Sequence, residues 1–232
     1  MLDVALTPRN IASRSGGHVA VIIDVFRAST TICTALHAGV AAVIPVRTVE
    51  EARARAGGRV DVILGGERGG LAPVGFHAGN SPFEYAPERV AGKTVVFTTT
   101  NGTAALLSAP ADAVRIFGCF ANASAVVEFL SRRRPEHVTL VCAGNNGAFS
   151  YEDALCAGIF AARCAGMWKI TDEAAAAAAM YAAMPSPDLL RRTDHAKKLV
   201  ALGFARDVEY CLTSDAAPVI PSFDNGLITT QS

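Results

Sequence analysis

An aspartate at the end of an apolar run needs a partner, and Asp24 closes the run His18-Val19-Ala20-Val21-Ile22-Ile23. An unpaired carboxylate is costly there, so a cation or a network of strong donors must satisfy it. Arg27 follows three residues later, and Ser29, Thr30 and Thr31 open the next segment. Hydroxyls and backbone N–H groups at a helix start suit a phosphate or carboxylate, and a guanidinium adds a bidentate grip. The competing explanation is structural: Asp24 pairs with Arg27, and Ser29 or Thr30 caps the helix.

Other stretches carry groups of the same kind. Thr98-Thr99-Thr100-Asn101-Gly102-Thr103 gathers four hydroxyls and an amide, either as an anion cradle or as a Thr-rich strand ending in an Asn-Gly turn. It lacks the lysine of a P-loop. Gly65-Gly66-Glu67-Arg68-Gly69-Gly70 holds a carboxylate and a guanidinium in a glycine loop able to approach a ligand closely. In Gly79-Asn80-Ser81-Pro82-Phe83-Glu84, Ser81 reads as a helix cap and Glu84 completes a capping box. Ser150 caps a helix that begins Tyr151-Glu152-Asp153, and capping accounts for only one of those two acids. Either Glu152 or Asp153 is therefore a candidate to join Asp24 and Glu67 around Mg²⁺, which takes few carboxylates and completes its shell with water and substrate oxygens. Cys142 ends a strand as Asp24 does, but Ala148 stands where a phosphocysteine motif needs arginine, so a buried thiol is the preferred reading. The five histidines form no H-x-x-x-H or H-x-H pair, and His77 alone is near a candidate loop.

These residues sit at the turns of a repeated β–turn–α grammar. His18 to Asp24, Thr94 to Thr98 and Val138 to Cys142 are β-branched runs, each followed by a small polar turn and a helix-compatible stretch. Ala42 to Val46 and Ala113 to Phe117 supply return strands, and Asp61 to Leu64 adds another. Right-handed crossovers place the three polar turns at one carboxyl edge, where ligands of open α/β sheets bind. The expected fold is α/β: a layered, mostly parallel or mixed sheet with helices on both faces. Similarity between the first two units suggests an internal duplication, in one domain over residues 1–232 or two closely packed halves at about 1–92 and 93–232. Thr171-Asp172-Glu173 leads an alanine-rich helix, Asp194 to Leu202 forms another, Pro185 and Pro187 separate them, and Val208 to Pro221 supplies a last strand.

Apolar residues at 51% against 18% charged give the 232-residue chain a core of Ala, Val, Leu and Ile, which suits parallel strands covered on both faces. Basic and acidic residues number 21 each, so no global field favours nucleic acid or an anionic membrane, and anion recognition must be local. Arg132-Arg133-Arg134 reads as a solvated surface turn. Six cysteines without a C-x-x-C pair, and no visible leader or membrane-length apolar run, point to reduced core thiols and a cytoplasmic protein.

Taken in order, DVFRASTT, GGERGG, GNSPFEY, TTTNGT, CAGNNGAFSYEDALCAG and LGFARDVEYC closely resemble the motifs of the 2-phosphosulfolactate phosphatase family, over nearly the whole chain from Asp24. The resemblance implies an α/β, Mg²⁺-dependent phosphatase acting on the phosphate ester of a 2-hydroxy acid, with 2-phospho-3-sulfolactate giving 3-sulfolactate on the route to coenzyme M. It carries the family's shared polar motifs onto Asp24, Arg27, Ser29, Thr30, Glu67, Arg68, Asn80, Ser81, Thr99, Asn101, Thr103, Glu152 and Asp153. Asn145-Asn146 and His77-Ala78 depart from the family pattern at positions that bear on acid selectivity.

The expected site has Asp24, Arg27, Glu67 and Arg68 as catalytic groups. Ser29, Thr30, Asn80, Ser81, Thr99, Thr100, Asn101, Gly102 and Thr103 surround the substrate, and Asp24, Glu67 and Glu152 or Asp153 hold Mg²⁺. Arg27, Arg68 and the Ser29 and Thr30 hydroxyls are expected to face the anion, so either arginine-to-alanine change removes activity without unfolding. Water attack and an Asp24 nucleophile both stand open, although Phe26 replaces the second acid of a D-x-D pair. A non-catalytic phospho-metabolite binder is the rival class. The expected partner is a small phosphorylated acid, with neither nucleic acid nor membrane, and a homodimer is compatible with the sequence.

Overall fold

The computed structural model describes residues 1–11, 17–184 and 188–231; the expected breaks at Pro185 and Pro187 lie outside them. The strands are β1 (Leu2–Ala5), β2 (His18–Ile23), β3 (Ala42–Pro45), β4 (Val62–Gly66), β5 (Thr94–Thr98), β6 (Val114–Gly118), β7 (His137–Cys142), β8 (Pro221–Asp224) and β9 (Leu227–Thr230). The helices are α1 (Ala28–His37), α2 (Val49–Ala56), α3 (Pro87–Val90), α4 (Gly102–Ser108), α5 (Ala123–Arg133), α6 (Tyr151–Arg163), α7 (Asp172–Ala182), α8 (Asp188–Arg191), α9 (Asp194–Ala201) and α10 (Ala205–Cys211). Among the described residues the strands form one sheet in the order β1-β7-β2-β6-β8-β9-β3-β5-β4.

Every residue of β2 is buried because its two faces meet different layers. Val19, Val21 and Ile23 pack with α5, α6 and the C-terminal helices, whereas Ala20 and Ile22 pack with α1 and α4. Continuous apolar strands of this kind are what a sheet covered on both faces requires. The crossing of α6 and α7 is close: a Cβ at Gly158 would lie 2.2 Å from the carbonyl oxygen of Ala177. Glycine on one helix and an alanine run on the other let the two backbones meet there.

The mixed α/β sheet with helices on both faces is the expected architecture, but the single carboxyl edge is not what forms. β1, β7, β2 and β6 make one parallel block, and β3, β5 and β4 make another. The β8–β9 hairpin joins them through three antiparallel pairings, so the blocks run in opposite senses along the ladder. Their carboxyl ends converge instead of sharing an edge. The Asn146 N–H after β7 donates to Asn101 Oδ1 after β5 at 3.0 Å, and a Cβ at Gly102 would lie 3.0 Å from Asp24 Oδ2. Strands from either side of residues 92–93 interleave, with β2 between β7 and β6, so the sheet does not part at that point.

The C-terminal expectation needs correction. Residues 205–211 are helix α10, and the strands lie later, as a hairpin over residues 221–230 turning at Asn225 (φ 48°) and Gly226 (φ 82°). Two successive positive φ angles are what a tight two-residue hairpin turn demands, and Asn-Gly supplies them at little cost. Strand β1, which the sequence reading did not anticipate, pairs with β7 at the sheet's edge. Arg132 and Arg133 end α5 and Arg134 caps it, all three exposed. The six cysteines are free and buried. No helix among the described residues is long and apolar enough to cross a membrane.

Candidate active site

Where the two blocks meet, a cleft of about 90 Å³ opens. Asp24, Phe26 and Arg27 reach it from the end of β2, and Glu67, Gly69 and Gly70 from the end of β4. Asn80, Thr100, Asn101, Asn145 and Asn146 come from the neighbouring loops, and α9 contributes His195, Lys198 and Leu199. A water needs roughly 10–15 Å³ on this scale, so the space suits a small metabolite.

Asp24 is nearly buried, and its Oδ1 accepts the Ala28 N–H at 3.2 Å. Burial pushes its carboxyl from 3.8 up to about 6; His195 opposes the rise, while Glu67 and Glu152 reinforce it by repulsion. Glu67 is held from two sides: Oε1 accepts Thr100 N–H at 2.7 Å and Oε2 accepts Gly70 N–H at 2.8 Å. That clamp draws the β4 loop onto the β5–α4 turn. It depends on Gly66, where φ is +124° and a Cβ would sit 2.0 Å from Thr98 O.

The two later acids have separate tasks, and neither lines the cleft. Asp153 Oδ1 accepts Val25 N–H at 2.9 Å and Oδ2 accepts Gly144 N–H at 3.0 Å, tying the ends of β2 and β7 to the start of α6. Burial, with Glu152 and Asp24 nearby, raises its carboxyl well above the usual range. Glu152 Oε1 meets His195 Nδ1 at 2.7 Å. Asp153 and Glu152 thus stand behind Asp24 and outside the lining of the cleft, the first held by backbone amides and the second meeting an imidazole.

Several residues expected to face the anion make bonds within the protein. Arg27 lines the cleft, but its guanidinium is held by Asp207 Oδ2 at 2.5 Å and Gly70 O at 2.7 Å and lies 4.1 Å from the centre of the Phe204 ring. Arg68 turns to Thr98 Oγ1, Arg47 O and Glu67 O, bracing the loop from behind. Ser29 Oγ donates to Ile22 O and Thr30 Oγ1 to Val25 O, and neither residue is exposed. A hydroxyl in a helix's first turn bonds readily to nearby backbone carbonyls, here Ile22 in β2 and Val25 in the turn that follows it. Ser81 Oγ donates to Asp207 Oδ1, while Glu84 accepts the Ser81 N–H as the capping box predicts. Thr99 Oγ1 accepts Thr103 N–H, and Thr99 and Thr103 border a separate groove beside Arg47. Gly102 packs against Asp24 and Ala28. Cys142 is buried with its thiol pushed well above the ordinary value, and His77 Nδ1 accepts Leu64 N–H.

Asn80 is different. It is 5% exposed, lines the cleft, and its Oδ1 has no hydrogen-bond partner. Among the described residues no three His, Cys, Asp or Glu side chains converge to hold a metal ion unaided. The cleft nonetheless presents the carboxylates of Asp24 and Glu67 and this unpartnered amide oxygen, a hard-oxygen set suited to Mg²⁺ with water and ligand oxygens completing the shell.

The 2-phosphosulpholactate phosphatase family model matches residues 5–226 of this chain. The chain belongs to that family. It is 42% identical over 229 residues to a protein of Thermotoga petrophila named probable 2-phosphosulfolactate phosphatase, covering 98% of this chain and 97% of the other. Proteins of the same name from Caldanaerobacter subterraneus (38% identity, 91% and 90% covered) and Clostridium acetobutylicum (38%, 90% and 91%) are similar throughout. The 2-phosphosulpholactate phosphatases are phosphoric monoester hydrolases by name, and the motif-based resemblance is thereby established. Outside the expected site residues stand His195, Lys198 and Asp207, the last within the motif LGFARDVEYC. The first two carried a signal: His195, Lys198 and Leu199 stand at i, i+3 and i+4 and so share a helix face.

Proposed function

We propose that this protein is a Mg²⁺-dependent phosphatase that hydrolyses the phosphate ester of a 2-hydroxy acid, with 2-phospho-3-sulfolactate as its substrate. The observation that carries this reading is the cleft itself: two carboxylates, an unpartnered buried amide oxygen and the Lys198 ammonium face one small space. A binder of a phosphorylated metabolite has no use for two clustered carboxylates that repel both the ligand and each other. Asp24, Glu67 and Asn80 would hold the ion, which when bound neutralises phosphoryl charge and makes a water more acidic. Lys198 and the amides of Asn101 and Asn146, which line the same cleft, would receive the carboxylate and sulfonate. The Gly69–Gly70 segment lets backbone approach the ligand without a side chain intervening.

Phosphate release measured with and without Mg²⁺ over phosphosulfolactate, phospholactate, phosphoglycerate and phosphomalate tests the assignment. Mg²⁺-dependent turnover preferring phosphosulfolactate is expected, and stable stoichiometric binding without phosphate release would overturn it. A second reading makes Asp24 the nucleophile, favoured by its desolvated carboxyl at a strand end in the cleft. Inversion at a chiral phosphorus supports water attack; retention, with phosphate trapped on Asp24 by acid quench, supports the aspartyl route.

A further inference from the structure

His195 is the cleft's least ordinary side chain. Its Nδ1 lies 2.7 Å from Glu152 Oε1, and its ring meets Phe26 edge-on with centroids 5.9 Å apart and planes at 82°. Its side chain is 15% exposed and that of Glu152 is 3%. A carboxylate so deeply buried is expensive unless it is paired, and a single imidazole is the side chain paired with it here. The pairing fixes the tautomer and aim of the ring, leaving Nε2 as the nitrogen for the cleft. Asp24 and Glu67 line the same cleft. An imidazole held by a carboxylate at Nδ1 is a standard proton-transfer device.

We propose that His195 is the general acid of the reaction, donating its Nε2 proton to the departing C2 oxygen of the substrate, with Glu152 as its positioning residue. The inference rests on the phosphatase reading above. The bond between phosphorus and the C2 oxygen breaks as the attacking oxygen joins phosphorus. The imidazolium proton passes to the C2 oxygen, releasing the free hydroxy acid. The proton shed by water on formation of phosphate returns to solvent, from which the ring is recharged. A secondary alkoxide is a poor leaving group, so the proton matters most for this substrate class.

The test compares 2-phospho-3-sulfolactate with its 3,3-difluoro analogue, whose leaving oxygen is far less basic. His195→Gln is expected to lose roughly 100-fold or more in kcat on the natural ester and less than roughly 10-fold on the difluoro ester, the range a general acid supplies. Glu152→Gln, which keeps a hydrogen-bonding group of the same size, is expected to show the same leaving-group dependence with smaller losses. It carries the test if His195→Gln has a lowered urea midpoint. Equal losses on both esters, in variants that keep the wild-type midpoint, would overturn the role of His195 while leaving the phosphatase reading intact. A wild-type protein inert on both esters would overturn that reading, and this inference with it.

Discussion

Replacing Asp24 with asparagine should make the metal-free protein more stable at neutral pH while removing its activity. Burial and the neighbouring Glu67 and Glu152 lift the Asp24 carboxyl from 3.8 to about 6, so the folded protein holds this proton more tightly than the unfolded chain does. A carboxyl raised in the folded state stabilises fully below its unfolded value, and that contribution is lost as pH rises through the folded one. The window therefore runs from about pH 4 to pH 7, and the difference between 3.8 and about 6 is worth about 3 kcal/mol. Asparagine keeps an oxygen for the Ala28 N–H and carries no charge, so Asp24→Asn should match wild type near pH 4 and exceed it by about 3 kcal/mol at pH 8. Urea denaturation at several pH values in the presence of a chelator measures this difference. Added Mg²⁺ should then stabilise wild type and leave the variant unchanged. A difference between the two proteins that does not vary with pH, or an asparagine variant less stable than wild type at pH 8, would refute the argument that the site stores electrostatic strain at Asp24.

Removing the carboxylate of Asp207 strands the buried Arg27 guanidinium, so Asp207→Ala should lose about 3–5 kcal/mol of stability in urea denaturation. For the same reason Arg27→Ala should unfold more easily than wild type, where the sequence reading expected an intact but inactive protein. Ser29→Ala and Thr30→Ala should each cost about 1–3 kcal/mol by leaving backbone groups without partners, with KM unchanged in steady-state assays. Cys142→Ala should keep its turnover, since the thiol is buried outside the cleft and held protonated; loss of activity with normal stability would revive a thiol mechanism.

The residues that converge on the cleft were partly visible in the sequence because strand-to-helix turns are local. Asp24, Glu67, Asn80, Thr100 and Asn101 all sit in such turns, and all reach the cleft. What they do there was less visible, because donors and acceptors are chosen by distance. Ser29 and Thr30 find carbonyls a few residues back, in β2 and the turn after it, and Arg68 finds Thr98 on the neighbouring strand. His195 and Lys198 sat in a segment that read as an ordinary amphipathic helix, with nothing in the order of residues to show that its inner face closes over the ends of two strands 100 residues and more upstream.

Apolar runs, polar turns and caps are properties of neighbouring residues, so the sequence by itself determined an α/β sheet covered on both faces, most strand positions, reduced core cysteines and the family motifs. Only the tertiary structure decided that a hairpin at residues 221–230 sets the two parallel blocks in opposite senses. It also decided that their carboxyl ends meet, that Asp207 pairs with Arg27, and that Glu152 meets His195. Each of these depends on a pairing between residues far apart in the chain. Such pairings are fixed by the packing of the whole sheet, whereas a turn or a cap is fixed by the few residues that form it.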